Sequence, residues 1–283
     1  MNRLSFLVWG MLPALMALMS LGCQGSNTAY LTPERMDRGL VIILPGIEGE
    51  STFNRDIRRG LEQSGLYCAM PIHHWGRPIP IAGPLINQVD VLGNRLAGKG
   101  IARSIVDYRN SYPGRPVYVV GHSGGGGVAI FAVEALPDGY EVDGVVLLSA
   151  SISAGYNLTE ALQKSRHGIV SFFSRADVGL LVVGTTLAGN VDGARGPGAG
   201  AFGFDLPKHD ADPGRLQAYH KLYQVGLDSR KEGGFLKAHS STTRMGFVAY
   251  NVAPWICSSH WPPGTPAVSK KPADDAAAKL SAR

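Results

Sequence analysis

Charge is scarce in this sequence. Asp, Glu, Lys and Arg make up 17% of its 283 residues, and the net charge is only +5. Beyond the first few residues the only adjacent lysines are Lys270 and Lys271. No basic helix, zinc finger or RNA-binding signature appears, so nucleic acid is not an expected partner. Cysteine is scarcer still, at three residues, which rules out a small scaffold held together by disulfides. Glycine (37) and proline (18) are plentiful but follow no period, which excludes a collagen-like or solenoid chain. His73 and His74 are adjacent, yet no carboxylate or cysteine stands beside them at ligand spacing, so no metal site is expected there.

What the chain does have is apolar substance, 45% of its residues, enough to bury the core of one large α/β domain over residues 28–261. Ahead of it, Arg3 precedes an uncharged apolar run from Leu4 to Leu21, which reads as an export signal over residues 1–22. Pro13 and the short length argue against a permanent span. The sequence "SLGCQG" resembles a loose bacterial lipobox, with Gly22 before Cys23, so Cys23 is the expected lipid attachment point and the cell envelope the expected location. Plain secretion and an uncleaved anchor are the other readings. Cys68 and Cys257 read as separate buried residues, with pairing left open in an oxidising compartment. From Pro262 to Arg283, "PPGTP" and "KKPADDAAAK" read as a disordered tail.

Between these ends, apolar strand-like runs alternate with helical patterns. "LVIILPG" is a buried strand. "STFNRDIRRGLEQSG" is a helix capped by Ser51 or Thr52, and "LYCAMPIHHW" is a second strand. Val89, Leu92, Leu96, Ile101 and Ile105 recur along one long helix from Leu85 to Tyr108. "VYVVG", "VDGVVLLSA" and "IVSFFS" are strands, with helices at "GGGGVAIFAVEAL" and "LTEALQKSR" between them. A short helix and a loop are expected from Asp177 to Phe204, and an amphipathic face in "RLQAYHKLYQV". The alternation implies a doubly wound, mostly parallel sheet with helices on both faces.

One stretch, "YVVGHSGGGGVAI", carries the chemistry. A Walker loop would need Gly-Lys-Ser/Thr after the glycines, where Val128, Ala129 and Ile130 stand. A dinucleotide fingerprint begun at Gly121 would need glycine where Ser123 is. What fits is Gly-x-Ser-x-Gly over Gly121, His122, Ser123, Gly124 and Gly125, set between a strand and a helix. A serine thrown above the strand ends by a strained turn leaves no room for side chains on the facing residues, hence the glycines.

On this elbow and its setting, the chain from about Leu40 to about Ile256 resembles the α/β-hydrolase family. The resemblance implies a nucleophile, an acid and a base in that chain order, with no cofactor. Ser123 is the implied nucleophile. Asp177, on the loop after "IVSFFS", is the implied acid, with Asp192, Asp205 and Asp228 as rivals and a helix cap as its other reading. His239 is the implied base, before His209, His220 and His260, while His122 reads as packing beneath the elbow. The oxyanion donors would be the backbone N–H groups of Gly124 and of Ile47, just after Pro45 and Gly46. The implied activity is hydrolysis of a carboxylic ester through an acyl-enzyme, with small-molecule or lipid esters as substrates and the membrane met through the anchor. Acyl transfer or amide hydrolysis on the same residues, and a non-catalytic envelope lipoprotein that keeps the fold for binding, are the alternatives.

Overall fold

The structure is a computed structural model, and it describes residues 27–77, 83–174, 189–227 and 240–263. Five strands form one sheet in the order β1 (Leu40–Leu44), β2 (Val117–His122), β3 (Gly144–Leu148), β4 (Ile169–Ser174) and β5 (Leu222–Leu227). Every pairing is parallel. Single parallel bridges, Leu40 to Ala69 and Ile43 to Ile72, extend the sheet beyond β1. The doubly wound architecture expected from the sequence is therefore present.

β1 to β4 are mostly apolar because both their faces are covered. Leu40, Ile42 and Leu44 of β1 and Val117 and Val119 of β2 point into one core with α4 (Val91–Ser111), α5 (Gly124–Glu134) and α6 (Thr159–Gln163). Val41, Ile43, Tyr118 and Val120 point into the other, with α2 (Thr52–Gln63), the π-helix Val248–Val252 and α10 (Ala253–Cys257). Burial of such aliphatic side chains contributes about 1.5–3 kcal/mol each. Shorter helices are α1 (Pro33–Met36), α3 (Gly83–Val89), α7 (Ala199–Phe202), α8 (Pro213–Tyr219) and α9 (Met245–Phe247). No helix among the described residues is long and apolar enough to cross a membrane.

Several expectations are corrected. The single helix from Leu85 to Tyr108 is two helices, divided at Asp90, whose carboxylate accepts from the Gly93 N–H at 2.9 Å and caps α4. Its apolar repeat does not all face inward: Val89, Leu92 and Leu96 are 48%, 70% and 57% exposed, whereas Asn94, Gly98, Ile101 and Ile105 are buried. Gly98 sets that rotation, because a Cβ there would meet Phe131 Cβ at 2.8 Å where α4 crosses α5. The amphipathic reading of "RLQAYHKLYQV" overlooks β5. α8 stops at Tyr219 and an edge strand begins at Leu222, half-buried along most of its length and so carrying a weaker apolar signal. "LYCAMPIHHW" pairs with β1 only at isolated bridges. Cys68 is buried but Cys257 is exposed, and both are free thiols; burial pushes the Cys68 thiol up to about 12.

The chain order fixes where a ligand site can form. From β1 the chain moves out to the Ala69–Ile72 side, then crosses back to β2 on the opposite side and continues in one direction to β5. The winding thus reverses between β1 and β2. In open α/β sheets, ligands bind beyond the carboxyl ends of the strands at such a switch point.

Candidate active site

Ser123 follows the last residue of β2, at the switch point. Its backbone has φ 52° and ψ −123°, a positive φ that a non-glycine residue adopts at a cost of about 1–3 kcal/mol. The surroundings hold it there. The Ser123 N–H donates to Leu148 O at 3.0 Å, and its carbonyl accepts from Gly126 N–H at 3.0 Å and Ser151 N–H at 2.9 Å. A Cβ at Gly121 would lie 2.5 Å from Gly125 O, and one at Gly125 would strike the carbonyl oxygens of both Pro45 and Leu44. The elbow and the loop after β1 are therefore in backbone contact.

That contact gives a sharp expectation. Gly125→Val forces branched carbons against two main-chain carbonyls and is expected to cost about 3 kcal/mol, the upper end of ordinary overpacking. Gly100→Ala, in α4 with nothing within 4 Å of the added carbon, is expected to gain about 1 kcal/mol. Thermal unfolding followed by circular dichroism checks both.

The loop after β1 is pinned at three successive carbonyls. Pro45 O accepts from Trp75 Nε1 at 2.7 Å, Gly46 O from the Gly49 N–H at 3.1 Å, and Ile47 O from Asn87 Nδ2 at 3.1 Å. Across the trans peptide the Ile47 N–H points opposite to the Gly46 carbonyl. Neither that N–H nor the Gly124 N–H has an acceptor among the described residues. Gly124 opens α5, where the first N–H groups are unsatisfied and the helix dipole is positive. Ile47 Cγ2 and the Trp75 ring lie against Gly124, 2.7 and 3.3 Å from where its Cβ would stand. The residue after the serine is thus covered by the Ile47 side chain, with an indole wall alongside.

A buried amide pair on α3 ties the halves together. Asn87 holds Ile47 as described, and Gln88 Nε2 donates to Ser151 Oγ at 2.9 Å and to Gly189 O at 2.7 Å. The backbone of Ser151 in turn holds the Ser123 carbonyl. Reading the sequence alone misses Trp75, Asn87, Gln88 and Ser151. The only signal was two adjacent amides inside an apolar helical pattern.

His122 lies beneath the elbow, 1% exposed, edge-on to Phe53 at 5.9 Å, with Nδ1 4.0 Å from Glu48 Oε1. Asp177, His239, Asp228 and Cys23 lie outside the described residues, as do the expected helix from Val178 and the tail beyond residue 263. Their described neighbours reach the carboxyl edge. Ser174 ends β4 in register with Leu227 of β5. Thr242 is fully buried, and its Oγ1 is 3.4 Å from Oγ of Ser149, which follows β3 with φ 48°.

Of the rival acids, Asp192 is a loop brace that accepts from Ser153 Oγ at 2.6 Å and from its N–H at 3.2 Å. Asp205 is exposed. His209, His220 and His260 are also exposed, and His220 is the C-cap of α8. Burial, with His74 close by, lowers the His73 pKa, and His74 Nε2 lies 3.3 Å from Glu50 Oε2. Among the described residues no three His, Cys, Asp or Glu side chains are grouped to hold a metal ion.

A parallel sheet whose winding reverses at a strained serine elbow is the α/β-hydrolase fold. Solved structures similar to this chain include esterase PE8, with TM-score 0.45 and 14% identity over 73% of this chain and 90% of that one. Others are acyl-protein thioesterase 2 of Zea mays (0.37, 13%, 68% and 85%) and a dienelactone hydrolase from Anabaena variabilis (0.38, 15%, 72% and 82%). No protein-family model and no curated protein matches the sequence.

Proposed function

We propose that the chain is an exported, lipid-anchored serine hydrolase that cleaves carboxylic esters. The observation that carries this reading is Ser123, held at positive φ at the head of α5, where the Ile47 side chain lies against Gly124. Backbone strain at Ser123, followed by a Gly124 N–H that has no acceptor among the described residues, suits attack on a carbonyl better than passive binding.

In this reading Ser123 Oγ attacks the ester carbonyl carbon as His239 removes the hydroxyl proton, and Asp177 fixes the imidazole tautomer. The new C–O bond places the carbonyl electron pair on oxygen, where the Gly124 and Ile47 N–H groups receive it. Collapse expels the alcohol, which takes the proton from His239 and leaves an acyl group on Ser123. A water deprotonated by His239 then attacks the acyl carbon, the bond from that carbon to Ser123 Oγ breaks as His239 returns the proton to Oγ, and the carboxylic acid leaves. Chain connectivity supports the two partners: Asp177 is three residues beyond the end of β4, and His239 three before Thr242. The exposure of Asp205, His209, His220 and His260, and the engagement of Asp192 by Ser153, support them too.

The test is turnover of a series of aryl esters of increasing acyl length by the purified chain, with pre-steady-state kinetics. A burst of phenol equal to the enzyme concentration, followed by slower turnover, is the expected signature of an acyl-enzyme. A folded protein that leaves every ester intact would overturn the reading and favour the binding lipoprotein.

A further inference from the structure

Asn27 is the first described residue, and its side chain is fixed. Asn27 Nδ2 donates to Ile72 O at 2.9 Å, and Oδ1 accepts from the Ile72 N–H at 3.0 Å and from Arg58 Nη1 at 3.2 Å. Ile72 pairs with Ile43, one residue before the end of β1. The chain arriving from the leader therefore joins the fold at the carboxyl edge of the sheet, the edge that carries Ser123. About two strand spacings, ~10 Å, separate the strand rows of Ile72 and Ser123. Cys23 stands four residues before Asn27, a reach of at most ~14 Å. An anchor on Cys23 would thus be tied close to the site.

The same edge exposes large apolar side chains. Phe53 (36% exposed) starts the helix after β1 and packs against His122. Val89 ends α3 beside the amides that hold Ile47 and Ser151, and Leu92 lies in the first turn of α4. Phe202, 45% exposed, ends α7, whose Gly200 abuts Ser149. Ion pairs lie at both edges, Arg77 with Asp90 and His74 with Glu50 on this one, and Arg109 and Arg166 with Asp143 at the amino edge, where Trp261 also covers Gly144.

We propose that this apolar carboxyl edge lies against the bilayer that holds the chain's own anchor, so that the ester the site meets is carried in that bilayer. The inference rests on the hydrolase reading of Ser123 and on lipid at Cys23. A tether alone allows every orientation. Exposed apolar side chains partitioning into the headgroup and acyl boundary select one.

The test uses the full chain made with its leader and reconstituted into vesicles of phospholipid brominated in the acyl chains. A fluorophore is attached at Val89→Cys or at Asp138→Cys, which is exposed before β3, with Cys257→Ser removing the accessible thiol. The Val89 label is expected to lose emission to the bromolipid while the Asp138 label keeps it. Equal quenching at both positions, quenching at Asp138 alone, or failure to partition with vesicles overturns the inference. Leu92→Asp is expected to lower turnover of a long-chain ester held in the vesicles by about tenfold and to leave a soluble short ester unaffected. Ester turnover without the Val89 signal would sink the orientation and spare the hydrolase reading. The Val89 signal with no turnover of either ester would sink the hydrolase reading and, with it, the proposed substrate.

Discussion

Ser123→Ala is expected to lower kcat by a factor on the order of 10⁶, and His239→Ala by a similar factor. The two losses should not multiply in the double variant, because a serine without its base and a base without its serine are the same broken unit. Some turnover above the rate in water should survive in each, since the Gly124 and Ile47 donors belong to the backbone and remain in place. The fold should also survive. Removing one hydroxyl leaves the hydrogen bonds of the Ser123 main chain to Leu148, Gly126 and Ser151 untouched. The positive φ suits alanine no better than serine, so the unfolding midpoint should move little. Steady-state kinetics on one aryl ester, alongside thermal melts, checks all of this. Near-normal turnover in Ser123→Ala would remove the elbow from the mechanism.

Asp177→Asn is expected to lower kcat on the order of 10⁴-fold with little change in stability, because an amide beside the imidazole favours the wrong tautomer. Its competing role as a helix N-cap makes the opposite prediction, since losing a cap costs about 1 kcal/mol and leaves turnover nearly normal. Measuring kcat and the melting midpoint on the same preparation separates the two roles. Full activity in Asp177→Asn would move the acid elsewhere. Asp192 would then be a poor replacement, because both its oxygens already brace Ser153.

How far the sequence foretells this structure depends on where each element gets its signal. β1 to β4 were legible because both their faces are covered, which writes apolar runs such as "LVIIL" and "IVSFF", the second interrupted by one buried serine, Ser171. β5 was not, because a half-buried edge strand containing Gln224 and Gly226 lacks such a run and follows directly on a helical pattern. The periodicity of Val89, Leu92 and Leu96 was real, but it faces outward. Spacing reports that a helix has an apolar stripe and is silent on what the stripe meets.

Within the site, Ser123 was legible because its demand for small neighbours is local, met within five residues. Trp75, Asn87 and Gln88 act on Pro45, Ile47 and Ser151 across 30, 40 and 63 residues of chain. Their targets are main-chain carbonyls and a serine hydroxyl, which impose no spacing rule on the sequence. Only the fold brings them together.

On this reading the elbow makes Ser123 a nucleophile. Incubation of the folded chain with a fluorophosphonate, followed by peptide mapping, tests it most directly. One phosphonylated residue is expected, Ser123, with labelling lost in Ser123→Ala and sharply reduced in His239→Ala, since reactivity depends on the base and not on exposure. A folded wild-type chain that takes up no label, or one labelled at another serine, would contradict it.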